Sequence, residues 1–146
     1  MSEPATLPAL RGARLLHSML RVRDLDRAVD FYTRLLGMKM LRRQEFPYGR
    51  FTLVFLGYGP EETQTVLELT YNWDIAEYEP GNAYGHIAIG VEDVHEAVAE
   101  LQAAGVPVIR PAGPLRGSPS EVIAFVADPD GYRVELIGGR AAPGLA

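Results

Sequence analysis

The stretch HSMLRVRDLDRAV at residues 17–29 returns, 69 positions later, as HIAIGVEDVHEAV at residues 86–98. His17/His86, Val22/Val91, Asp24/Asp93, Ala28/Ala97 and Val29/Val98 are identical pairs at that spacing, with Leu25/Val94 similar. Five identities in thirteen positions mark an internal repeat. A repeat constrains architecture before any single residue does. A chain of 146 residues has room for two such units around a shared core.

Each copy reads βαβββ. In the first, Leu15 to Val22 alternates apolar and polar residues as a strand does. Asp24 is placed as a helix N-cap, and Leu25, Ala28, Val29, Tyr32, Leu35 and Leu36 recur at helical spacing up to Gly37. Residues 38–46, 50–57 and 64–72 read as three further strands, with YGPEET as a turn. The second copy repeats the order. A strand runs from Tyr84 to Val91, and Asp93 caps a helix with Glu96 three residues on. PVIRP is a short strand, followed by strands over 121–127 and 132–137. The last two are joined by Asp-Pro-Asp-Gly, where Pro129 fixes φ and Gly131 accepts the left-handed position. The expected division is a flexible N-terminal tail over 1–14, a first module over 15–72, a linker over 73–83, a second module over 84–138 and a C-terminal tail over 139–146. The fold class is α+β: two tandem βαβββ modules forming a mixed eight-stranded sheet with flanking helices.

Strand alternation sorts the polar residues. His17, Met19 and Arg21 share one face of the first strand, and Glu68, Thr70 and Asn72 share one face of the fourth. Their apolar neighbours face the helix. The segment VLEL (66–69) matches VELI (134–137), which sets Glu68 against Glu135. Taken singly, a strand histidine is ordinarily a hydrogen-bonded side chain and a strand glutamate a solvated one. The repeat changes that reading, because each module opens on a histidine and closes on a glutamate. His17, Glu68, His86 and Glu135 form a pseudo-symmetric set of two imidazoles and two carboxylates. Such donors suit a borderline-to-hard divalent metal, and four of them leave coordination positions open for catalysis. His95 lies off the matched pairs, near a helix start, and reads as a surface residue.

Composition removes several function classes. Net charge is −5 and the pI about 5.2, which disfavours a phosphate-backbone partner. There are no cysteines, so disulfides and thiolate metal sites are excluded. No apolar run approaches the roughly 18 residues of a membrane span, and no targeting segment is apparent at the start. The expected partner is therefore a small molecule, in the cytoplasm, with no nucleic acid and no membrane.

The segments LLHSMLRVRDLDRAVDFYTRLLGMKMLRR, FLGYGPE, VLELTYNW, AYGHIAI and IAFVADPDGYRVELI resemble the bacterial glyoxalase I (lactoylglutathione lyase) family of the vicinal oxygen chelate superfamily. The resemblance runs from about Leu15 to Ile137. It implies that His17, Glu68, His86 and Glu135 ligate one divalent metal, Ni²⁺ foremost, with Co²⁺ or Zn²⁺ as alternatives. It implies glutathione as co-substrate. Arg21 and Asn72 become clamps for the γ-glutamyl end, and Arg116 a contact for the glycine carboxylate. The implied reaction converts the methylglyoxal–glutathione hemithioacetal to S-lactoylglutathione through an enediolate. Glu135 is the first choice for the base, with Glu68 across the substrate. The resemblance also implies a homodimer whose active sites lie between chains. The rival readings are another vicinal oxygen chelate enzyme, such as a CoA-thioester epimerase, and a non-catalytic small-molecule-binding module of the same fold.

Overall fold

The structure is a computed structural model that describes residues 5–143; the outermost parts of both expected tails, residues 1–4 and 144–146, lie outside the described residues. After a 3₁₀ turn at Pro8–Leu10 the elements are β1 (His17–Arg21), α1 (Leu25–Asp30), β2 (Lys39–Phe46), β3 (Phe51–Gly57), β4 (Val66–Asn72), β5 (His86–Gly90), α2 (Val94–Ala103), β6 (Val108–Leu115), β7 (Ser118–Ala127) and β8 (Arg133–Ile137). Both helices start where the sequence places their caps. The Asp24 carboxylate accepts from Arg27 N and the Asp93 carboxylate from Glu96 N, each at 3.1 Å.

The strands lie in two four-stranded sheets, ordered β1-β4-β3-β2 and β5-β8-β7-β6. β1 and β4 run parallel, as do β5 and β8, and every other pair is antiparallel. The tandem α+β architecture is the one expected. The eight strands, however, are divided between two sheets, with no ladder joining them among the described residues. The halves are joined instead through side chains. One continuous core takes Leu20, Val22 and Leu69 from the first half and Val126, Val134 and Leu136 from the second.

Two local departures from the sequence reading have physical causes. The first helix does not stay α-helical to its end, because Phe31–Leu35 widens into a π-helical turn with Leu36 N bonded to Phe31 O. The wider turn lets consecutive Phe31 and Tyr32 both point into the core. The second departure is the segment between PVIRP and residue 121, to which the pattern assigns no strand and which forms a hairpin. β6 continues to Leu115 and β7 begins at Ser118, leaving Arg116 and Gly117 as the turn. Pro111 and Pro114 obscure this strand in the sequence, since proline donates no ladder hydrogen bond. β6 is an edge strand with register shifts at Val108/Arg110, Arg110/Gly113 and Pro114/Leu115, where prolines are tolerated.

The Asp-Pro-Asp-Gly turn fixes the relation between the halves. Asp128 is only 4% exposed. Its Oδ1 accepts from Asp130 N at 2.9 Å and Tyr132 N at 2.8 Å, and its Oδ2 accepts from Tyr32 Oη, on the first helix, at 2.7 Å. Burial pushes the Asp128 carboxyl above its ordinary value, while these bonds pull it back. A raised folded value means that this residue favours folding below the unfolded carboxyl's pKa, and that the contribution is lost as pH rises through the folded one. The Tyr32 bond acts against that loss by stabilising the ionised form. Tyr32→Phe should therefore reduce stability by about 1.5–3 kcal/mol at neutral pH. The deficit should shrink as pH falls through the folded pKa of Asp128. Urea unfolding of both proteins across that range measures it, and a pH-independent deficit would contradict the assignment.

Candidate active site

Each sheet has one face against the helices and core and one open face. Parallel pairing of β1 with β4 sets His17 beside Val66 and Met19 beside Glu68. His17 and Glu68 thus project from the same open face of neighbouring strands, with His17 Nε2 at 2.7 Å from Glu68 Oε2. In the second sheet Ala88 pairs with Glu135, and His86 Nε2 lies 3.2 Å from Glu135 Oε1. The histidine side chains are 37% and 40% exposed and the glutamates 12% and 14%. Carboxylates so nearly buried require a partner, and each imidazole supplies it while leaving an edge to solvent.

Within the chain the four predicted ligands remain two pairs. No group of three or more histidine, cysteine, aspartate or glutamate side chains is positioned to hold a metal among the described residues. The chemistry of the donors fits a divalent cation: two imidazole nitrogens and two carboxylates, without thiolate. Their number in either half does not complete a site. His95 is exposed on α2, apart from both pairs.

The other predicted site residues divide. Arg21 and Asn72 stand at the ends of β1 and β4, the same end of the first sheet. The Arg21 guanidinium is exposed and has no hydrogen-bond or ion-pair partner among the described residues. Asn72 Nδ2 donates to Tyr78 Oη at 3.0 Å, which leaves Oδ1 without a donor among the described residues. Arg116 sits exposed in the β6–β7 turn, on the other sheet. The structure does not bring it near Arg21 and Asn72 within the chain as a common cluster.

Several residues around the pairs lie outside the two thirteen-residue repeat segments. Phe55 pairs with Glu68 across β3–β4, its ring edge-on to His17 at 5.6 Å between centroids. Phe125 pairs with Glu135 and meets His86 in the same way at 5.1 Å. One strand further out, Arg42 pairs with Phe55 and Arg110 with Phe125. Each open face therefore carries His, Glu, Phe and Arg on successive strands. Extending the repeat to these strands finds them, since Phe55/Phe125 are 70 apart and Arg42/Arg110 are 68 apart. The two arginines are used differently. Arg42 lies 3.6 Å over the Phe55 ring and forms a bidentate pair with Glu61, whereas Arg110 donates to the carbonyls of Ile123 and Pro114.

Tandem βαβββ units, each presenting a histidine and a glutamate on an open sheet face, define the vicinal oxygen chelate class. The chain belongs to the glyoxalase/bleomycin resistance protein/dioxygenase superfamily, whose description it matches over residues 14–136. The lactoylglutathione lyase of Neisseria meningitidis serogroup A is 56% identical over 124 residues, covering 85% of this chain and 89% of that protein. Among solved structures, the trypanothione-dependent glyoxalase I of Leishmania major is similar at 53% identity and a TM-score of 0.78, with 87% of each chain covered. Glyoxalase I from Zea mays is similar at 44% identity and a TM-score of 0.83, covering 89% of this chain. This chain spans about half the length of the maize chain, 46%.

Proposed function

We propose that this protein is a glyoxalase I: it isomerises the hemithioacetal of methylglyoxal and glutathione to S-lactoylglutathione. The observation that carries the reading is the pair of matched His–Glu sets on open sheet faces, in a chain more than 50% identical to lactoylglutathione lyases over most of its length. His17, Glu68, His86 and Glu135 hold one divalent metal, with two donors from each of two chains. The separation of the pairs within one chain supports this arrangement. So does the length of the maize relative, of whose chain this one covers 46%. The activating ion is Ni²⁺, with Co²⁺ or Zn²⁺ as alternatives, as the family resemblance implies. The enzyme acts in the cytoplasm; among the described residues no helix is long and apolar enough to cross a membrane.

The bound cation supplies Lewis acidity, which makes the C–H beside the substrate carbonyl removable and offsets the negative charge that develops. The protein does the rest. Arg21 takes the γ-glutamyl carboxylate in a planar, charge-assisted contact, and Asn72 Oδ1 accepts from the neighbouring ammonium. Arg116 meets the glycine carboxylate. Phe55 and Phe125 wall the reacting carbons and keep bulk water from the carboxylates. Glu135 accepts the proton from the carbon that bears sulfur, and a proton is returned to the adjacent carbon, so the net change is an internal redox shift with no atom gained or lost. Glu68 stands across the substrate, placed for the other diastereomer.

Purified protein should form thioester from methylglyoxal plus glutathione after loading with Ni²⁺ or Co²⁺, and little after chelation; absence of thioester in every metal-loaded state would sink the reading. Metal-replete Glu135→Gln should lose about 10²- to 10⁴-fold in turnover, because an amide cannot accept the proton. Near-wild-type turnover of that variant would move the base to Glu68. Sites shared between chains predict a specific result with mixed variants. His17→Ala and His86→Ala homodimers should both be inactive, while a verified mixed dimer regains one intact site. A wholly inactive mixed dimer would place the four ligands within one chain.

A further inference from the structure

We infer that Tyr132 and Tyr78 are positioning residues that brace the clamp formed by Arg21 and Asn72, and that Tyr78 thereby sets a preference for thiols bearing a free α-amino-acid end. The inference rests on the proposed clamp and adds residues outside it. Tyr132 Oη donates to the backbone carbonyl of Arg21 at 2.6 Å, across 111 positions of sequence. One residue further on, Val22 N is held by Thr70 O at 3.0 Å, and Arg23 N donates to Asp130 Oδ1 at 2.9 Å. The end of β1 is thus pinned on one side by β4 and on the other by the turn that precedes β8. That turn is itself anchored, since Asp130 N and Tyr132 N both bond to buried Asp128. Tyr84 packs edge-on against the Tyr132 ring at 5.5 Å, which fixes the direction of its hydroxyl.

The side chain that benefits is the one with no partner of its own. Arg21 extends from this pinned backbone into solvent without a hydrogen bond or ion pair among the described residues. A long side chain with a free guanidinium points reproducibly only if its backbone does. Asn72 is braced by a different device. An amide can present either its oxygen or its NH₂ outward, and the two orientations recognise opposite partners. The bond from Asn72 Nδ2 to Tyr78 Oη engages the NH₂ group and leaves the oxygen free to accept. An oxygen free to accept, at the same end of the sheet as a free guanidinium, matches an ammonium near a carboxylate, which is the pairing carried by an unblocked α-amino acid. Loss of the Tyr78 hydroxyl frees the amide to turn over and offer its NH₂, which an ammonium repels.

The test uses the metal-loaded full-length protein and two non-reacting probes: S-hexylglutathione and its N-acetyl derivative, whose ammonium is blocked. The wild type should bind the free-amine probe at least about tenfold more tightly. Tyr132→Phe should weaken both probes alike by about two- to tenfold, the size of one lost neutral hydrogen bond. Tyr78→Phe should weaken mainly the free-amine probe, so that its advantage shrinks by a similar factor. In turnover, both variants should raise KM for the hemithioacetal and leave kcat and metal content unchanged. Arg21→Ala and Asn72→Ala serve as controls for the clamp. If they lose probe affinity while both tyrosine variants keep wild-type affinity and discrimination, the brace is wrong and the clamp stands. If they leave probe affinity unchanged, the clamp reading falls and the inference with it, while metal-dependent thioester formation still judges the reaction independently. A lowered melting temperature with unaltered Kd for both probes would reduce the tyrosines to structural residues and overturn the inference.

Discussion

The parallel pairing of the first and last strand of each half is the constraint on which the rest depends. Parallel neighbours cannot be joined by a tight hairpin, so the chain must cross over the sheet between them. Here it crosses through a helix that covers one face, and returns through an antiparallel hairpin to the strand beside the first. The crossover settles which face is core and which is open. It also settles which residues meet on the open face. With His17 beside Val66 and Met19 beside Glu68, a histidine and a glutamate two steps apart in register come within hydrogen-bond distance. The same pairing, repeated with His86 and Glu135, gives the second half its own pair. The pairing of imidazole with carboxylate is thus a by-product of strand order, and a slip of one residue between β1 and β4 would turn His17 into the core.

Much of this is legible in the sequence because it is periodic. The repeat, the alternation that puts His17, Arg21, Glu68 and Asn72 on open faces, and the aspartate caps all depend on spacing, and spacing survives without knowledge of tertiary packing. What escapes the sequence depends on contacts between distant segments or on residues that break local rules. The π-helical turn at Phe31–Leu35 exists so that two adjacent aromatics can both be buried, a demand set by the core and not by local propensity. The β6–β7 hairpin is hidden by Pro111 and Pro114, which suit an edge strand with register shifts but read as loop. Tyr132 and Tyr78 look like ordinary strand and linker tyrosines until the fold sets one beside Arg21 and the other beside Asn72.

The two halves have also diverged where their scaffold has not. Arg42 and Arg110 occupy the same register position beside Phe55 and Phe125. Arg42 is free to lie over its phenylalanine because Glu61, from the β3–β4 connection, takes two of its nitrogens. Arg110 is drawn instead to the carbonyls that the irregular β6 ladder leaves open, at Pro114 and Ile123. Irregular pairing leaves backbone acceptors in need of donors, and a buried or half-buried carbonyl without one is costly. The bulged edge thus recruits a side chain that its counterpart can spend on the open face.

The intrachain junction bears on how a complete site can form. Bringing His86 and Glu135 over His17 and Glu68 within one chain would require the halves to swing apart and close again face to face. That motion would part Tyr32 from Asp128 and Tyr132 from Arg21, and would open the core shared by Leu20, Leu69, Val126 and Leu136. Asp128 would lose a charge-stabilising donor and emerge from burial, and several large apolar side chains would meet water, each at about 1.5–3 kcal/mol. In the proposed arrangement a second copy of the chain would complete both pairs without any of these losses. The histidines, each about two-fifths exposed, have an uncovered edge that such a copy can meet. The same turn that locks the modules together therefore weighs against a site built in one chain and supports the proposed site built by two.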